Sequence, residues 1–226
     1  MIGNTAARDG GVAYIESSGD VSISECTMTG NTAAQAGGVA CVYISANLSI
    51  SECTMTGNTA RDGGAAYIES SGDVSISECT MIGNTAAQDG GVACITYSRD
   101  VSISECTVTG NTAAQDGGVA CVYISGNVSI SECTMTGNTA ARDGGAAYIE
   151  SSGDVSISEC TMTGNTAAQD GGVANIVLAG EINSEPLVVF RKPLSQGLSI
   201  LWGGGQELAL GGGLCGRGGG RDGEQQ

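Results

Sequence analysis

The chain has 226 residues, with 24 acidic against 8 basic and a formal net charge of −16. That balance excludes a phosphate-backbone ligand, so no nucleic acid is expected, and it suits a cation or a basic partner. No run of about 18 apolar residues exists, so no membrane-spanning segment is predicted.

The N-terminus has no basic stretch followed by an apolar run, so no secretory signal opens the chain. Met1-Ile2-Gly3-Asn4 instead matches Met81-Ile82-Gly83-Asn84 inside a repeat, which predicts a chain truncated at its N-terminus. The repeated block reads Gly-Asn-Thr-Ala-x-x-Asp-Gly-Gly-Val-Ala, then Asp-Val-Ser-Ile-Ser-Glu-Cys-Thr-Met-Thr. Its Asn falls at Asn4, Asn31, Asn58, Asn84, Asn111, Asn138 and Asn165. The spacing is 27 residues except for one step of 26, where an Ala is missing before Arg61. A fixed period of this size marks a solenoid, in which each unit packs only on its neighbours.

Within the first unit, Gly10-Gly11 forms a turn and Val12 to Glu16 alternates apolar with polar. Ser17 to Asp20 turns again, Val21 to Ser24 alternates, Glu25 shifts the phase, and Cys26 to Thr29 alternates once more. Three short strands per unit, divided by Gly, Ser and Asn turns, predict one coil of a parallel β-helix. The fold class is therefore all-β, a right-handed single-stranded solenoid of about 27 residues per coil and six to seven coils. Stacked at about 4.8 Å, six periods make a rod of roughly 29 Å. Strand parity turns Ala13, Ile15, Val21, Ile23, Cys26 and Met28 inward, and Val12, Tyr14, Ser22, Ser24, Thr27 and Thr29 outward. The repeats are expected over 1–180, an irregular partial cap over 181–202 and a Gly-rich flexible tail over 203–226.

The paired motifs Gly-Gly-Val-Ala (Gly37 to Ala40) and Met-Thr-Gly-Asn (Met28 to Asn31) resemble the repeats of the chlamydial polymorphic outer-membrane proteins. Those repeats carry Gly-Gly-Ala-Ile and Phe-x-x-Asn; here Met, once Val108, replaces Phe, and Ala replaces Ile. The resemblance covers about residues 1–178 and implies an extracellular or cell-surface β-helix used in display or adhesion, with a glycan or protein partner.

Several stacked columns could carry chemistry. Asn31 and its equivalents are expected to satisfy turn backbone groups. Cys26, Cys53, Cys79, Cys106, Cys133 and Cys160 lack zinc-type spacing and are expected as small buried hydrophobes. Parity puts Cys41, Cys94 and Cys121 outward, which makes Cys94 and Cys121, on adjacent coils, the disulfide candidates. Asp89, Asp116 and Asp143 belong to an acidic column that calcium, the one cofactor considered, could neutralise. Solvated turn residues are the alternative, because the Gly-Gly-x-Gly-x-Asp pattern of calcium-binding solenoids is absent. The outward pairs Thr27 and Thr29, Thr54 and Thr56, Thr107 and Thr109, Thr134 and Thr136, and Thr161 and Thr163 would form a flat two-column hydroxyl grid interrupted at Ile82. That candidate binding face resembles the ice-binding face of some antifreeze solenoids; exposed strand Thr is the plainer explanation. A carbohydrate-active enzyme of this fold ranks third. There is no His, Lys192 is the only Lys, and no acid–base cluster breaks the repeat, so no catalytic residue is assigned. Asn47-Leu48-Ser49 and Asn127-Val128-Ser129 are sequons that matter only in a eukaryotic secretory pathway.

Overall fold

The computed structural model describes residues 1–177 and three short strands beyond them, Ile182–Asn183, Ser199–Trp202 and Gln206–Glu207. Each block winds once around a common axis, and equivalent residues pair in parallel register: Ile76 lies between Ile50 and Ile103, and Met55 beside Met81. The result is a right-handed parallel β-helix of about six coils. Four sheets run along it, where three were expected from alternation. In one coil their strands are Thr112–Ala113, Ala120–Tyr123, Val128–Ser131 and Thr134–Thr136. We call them the corner, tyrosine, serine and threonine sheets. The corner strand has two residues, too few to show a period in the sequence.

Corners between sheets are made by single residues in the left-handed region. The serine and threonine sheets are joined by Glu25, Glu52, Glu78, Glu105, Glu132 and Glu159, with φ between 51° and 54°. This is the phase shift visible in the sequence. The tyrosine and serine sheets are joined by Ser17, Ile44, Ser70, Tyr97, Ile124 and Ser151, again at positive φ. A side chain there costs about 1–2 kcal/mol, and β-branched Ile is among the residues least suited to it.

The core is a set of like-on-like columns. Ile68, Ile76, Cys79 and Met81 are each at most 1 % exposed and repeat coil after coil. Each inward Cys from Cys53 to Cys160 donates its thiol hydrogen to the Ser carbonyl two residues earlier, as Cys106 does to Ser104 at 3.0 Å.

The Val12 column departs from parity. Val39, Val92 and Val119 sit in the core, not outside it. These residues precede the strand: the N–H groups of Val92 and Ala93 both donate to the carbonyl of Val119, and this double bond to one acceptor turns the corner so that consecutive side chains point inward. The missing Ala before Arg61 is absorbed the same way. Arg61 and Asp62 both donate to the carbonyl of Gln35, and Thr59 stays in register with Thr32.

Beyond residue 177, Ile182–Asn183 extends the serine sheet from Val155–Ser156, and Ser199–Trp202 extends the tyrosine sheet. The rest of the expected cap and tail lies outside the described residues.

Candidate functional site

Two of the expected columns are occupied with holding the coils together. Asn84 donates both its backbone N–H and its Nδ2 to Oδ1 of Asn111, at 2.8 and 3.0 Å, and Nδ2 also reaches the Met55 carbonyl. The same pattern repeats along the column, fully buried from Asn31 to Asn138. Asp89, Asp116 and Asp143 do comparable work. Oδ1 of each accepts the backbone N–H of the next residue in its column, at 3.1, 3.0 and 2.8 Å. Among the described residues no three His, Cys, Asp or Glu side chains converge in a way that could hold a metal ion. The calcium expectation is therefore corrected: each carboxylate is aimed along the axis at an amide of the neighbouring coil, not inward at a shared centre.

Burial holds the Asp89 and Asp116 carboxyls above their ordinary range, against the amide bonds that favour their charged form. A folded pKa raised above the unfolded one means that the folded state binds more protons. Stability is therefore expected to rise as pH falls from 7 through these raised values, the gain being complete near the ordinary value of about 3.9. Below that, Asp73 works the other way, because its bond to Arg99 lowers its pKa and the stability it contributes is lost on protonation. Urea midpoints measured from pH 7 to 3 check this. Asp116→Asn, which keeps an oxygen for the Asp143 amide, should flatten the rise; a midpoint that only falls on acidification would contradict it.

Cys41, Cys94 and Cys121 also need correction. They point away from the core and belong to no core cluster, yet they are only 0–4 % exposed. Tyr43 lies against Cys41 and Tyr123 against Cys121, and burial pushes all three thiols up. Cys94 and Cys121 are register partners on adjacent strands, and both are free thiols. Side chains leaving a parallel pair in the same direction are poorly oriented for a bridge.

The threonine grid has the expected alignment but not the expected even exposure. In the first column Thr27 pairs with Thr54, Thr107 with Thr134 and Thr134 with Thr161. In the second, Thr109 pairs with Thr136 and Thr136 with Thr163, while Thr56 is held between Thr29 and the exposed Ile82. The flat two-column face is corrected to one open column and one half-buried one. Thr27, Thr107, Thr134 and Thr161 are exposed, whereas Thr29, Thr56, Thr109, Thr136 and Thr163 are half-buried, as is Thr54 in the first column. Each second-column residue ends its strand, where the chain bends at the next glycine toward the corner sheet. Thr56 departs furthest from the grid, because its neighbour on one side is Ile82, which offers no hydroxyl.

The outer face of the tyrosine sheet went unassigned in the sequence, although its signal, Tyr-x-Glu, recurs at Tyr14/Glu16, Tyr67/Glu69 and Tyr148/Glu150. In these coils the Tyr hydroxyl donates to the Glu two residues on, at 3.1, 2.9 and 2.8 Å. Intervening coils place Tyr43 and Tyr123 two strand positions further, so the rings interlock between coils. Tyr14–Tyr43, Tyr43–Tyr67 and Tyr123–Tyr148 have centroids 5.6 to 5.8 Å apart, tilted by 51° to 57°. Burial first, then the neighbouring Glu, raises the Tyr67 and Tyr148 hydroxyls above their ordinary pKa. Along one margin, Arg61 pairs with Asp62 at 2.9 Å and Arg142 approaches Asp116 at 3.6 Å. Half-buried rings beside ordered carboxylates and guanidiniums can hold a polar ligand with apolar faces.

With this geometry in place, comparison with known families is informative. A model of the right-handed β-helix region matches residues 2–162, and the chain belongs to that family. No curated protein gives a match. Among solved structures, a protein of Parabacteroides merdae provisionally assigned as a glycosyl hydrolase is similar at 11 % identity and a TM-score of 0.41, over 72 % of this chain and 79 % of that one. Likeness at that level carries no argument about activity. Among the described residues no helix is long and apolar enough to cross a membrane.

Proposed function

We propose that the chain is a non-catalytic repeat protein of the cell surface or extracellular space, serving display or adhesion by holding a glycan along the outer face of its tyrosine sheet. The observation that carries this reading is the interlocked Tyr column with one hydrogen-bonded Glu in every Tyr-x-Glu coil. Sugar rings present C–H faces that pack on aromatic rings, while their hydroxyls donate to carboxylates. The acidic surroundings favour neutral or amino sugars over anionic ones. The resemblance of Gly37 to Ala40 and Met28 to Asn31 to chlamydial surface-protein repeats supports the compartment and the display role. The test is a glycan array followed by calorimetry on retained oligosaccharides. Tyr67→Ala with Tyr148→Ala should weaken binding by about tenfold or more, as loss of aromatic anchors does. An array that retains nothing, or a retained glycan that is cleaved, defeats the reading.

Ice binding by the threonine grid is the second reading, favoured by the in-register Thr columns. It requires thermal hysteresis that is lost on Thr109→Lys and Thr136→Lys.

A further inference from the structure

The corner between the tyrosine and serine sheets carries a different kind of surface. Three coils of near-identical sequence turn this corner with Ser17, Ser70 and Ser151, whereas three others use Ile44, Tyr97 and Ile124. These three side chains have φ of 55°, 53° and 48° and are 57, 58 and 50 % exposed. They are costly in backbone conformation and leave apolar surface in water, and the serine coils show that the corner closes without them. An outlier that gives the fold nothing points to a contact outside it.

Three residues after Tyr97 and Ile124 the chain enters a groove of about 430 Å³ that crosses four coils, walled by Asp73, Asp100, Asn127 and Asp154 and floored by the serines of the serine sheet. The groove already accepts a guanidinium. Arg99 lies on Asp73 with Nε to Oδ1 at 2.8 Å and Nη2 to Oδ2 at 2.9 Å, a bidentate pair. Gly126 stands where Arg99 does one coil later, so Asp100 acquires no such internal partner; its Oδ1 accepts the Asn127 amide at 2.9 Å, which leaves Oδ2 for an external donor. The chain as a whole carries −16, which disfavours a second copy as the occupant.

We propose that this groove docks an extended, arginine-bearing segment of a partner protein, its guanidinium groups on Asp100 and the carboxylates beside it and its apolar side chains on Tyr97 and Ile124. The internal Arg99–Asp73 pair shows the geometry of the charged contact. The apolar corner supplies the part of the contact that salt does not screen. The segment lies around the corner from the tyrosine column, so this docking is independent of the glycan reading.

The probe is a fluorescein-labelled peptide, Gly-Arg-Leu-Arg-Ala-Arg-Leu-Arg-Gly, titrated by anisotropy against the full chain, with a Glu-for-Arg peptide as control. Saturable binding of the Arg peptide alone is expected, at micromolar Kd in about 0.1 M salt. Asp100→Asn and the double change Tyr97→Asn, Ile124→Asn should each weaken it about tenfold. The double change should also raise Tm, because Asn tolerates the left-handed region; that readout separates lost docking from lost folding. Tyr67→Ala should leave peptide binding unchanged while reducing glycan retention. The proposal is overturned if the Arg peptide does not bind. It is equally overturned if Glu105→Gln, on the far margin of the serine sheet, weakens binding as much as Asp100→Asn, or if the double change leaves Kd unaltered.

Discussion

Asn111→Ala is expected to destabilise the middle of the array by roughly 3–6 kcal/mol. The Asn111 Oδ1 is the common acceptor for the backbone N–H and Nδ2 of Asn84, and its own Nδ2 donates to the Met81 carbonyl. Alanine strands these groups in a site that is 0 % exposed, where water cannot replace the lost partner. Each orphaned buried group costs about 1–3 kcal/mol. Asn111→Asp should do no better: it keeps an oxygen but buries a charge and removes the donor to Met81. Because a solenoid is stabilised by nearest-neighbour contacts, the damage should be local, and hydrogen exchange should accelerate most in the coils flanking Asn111. Thr112→Ala, one residue along on the exposed side, is the reference and should stay within about 0.5 kcal/mol. If the two variants melt alike in urea, the ladder does not bear the load assigned to it.

Gly118→Ala is expected to be more damaging still, preventing the central coils from stacking. A Cβ there would stand 2.1 Å from the carbonyl oxygen of Gly145 and 2.9 Å from the backbone of Thr139. Neither neighbour is the end of a flexible side chain, so relief requires the coils to separate. Separation would break the bonds from Gly118 to Gly144 and from Val119 to Ala146. A loss above about 4 kcal/mol, seen as insoluble or largely unfolded protein, follows from such backbone overlap. Gly110→Ala is the contrast. Its φ is +64°, yet nothing lies within 4 Å of the added carbon, so the cost should be only the left-handed penalty of about 1 kcal/mol. Comparing the two in one circular-dichroism melt separates conformational freedom from close approach; equal melting temperatures would refute the packing explanation.

The two glycines also show how unevenly the chain announces its structure. Both belong to the repeat and look alike in sequence, but one closes a coil in open space and the other lets two backbones touch. The same holds for the outward columns. Tyr-x-Glu at Tyr67/Glu69 was visible as a repeat, yet only the interleaving of Tyr43 from the neighbouring coil turns separate rings into a continuous face. Thr54 and Thr56 share the parity of an open face, and both are half-buried. Cys94 and Cys121 have the parity of surface residues and the burial of core ones, since what covers them comes from other parts of the coil and from adjacent coils.

By itself, the sequence determined the coil, its length, its stacking and the inward columns Ile76, Cys79 and Met81. The reason is that equal spacing between repeats forces parallel strands into register, and alternation within a strand leaves one choice of face. Tertiary structure alone decided the turning-in of Val92, the covering of Cys121, the axial aim of Asp116 and the strained exposure of Ile124. Those depend on how sharply the backbone bends at each corner and on the size of the side chain one coil away, and neither is written in a period.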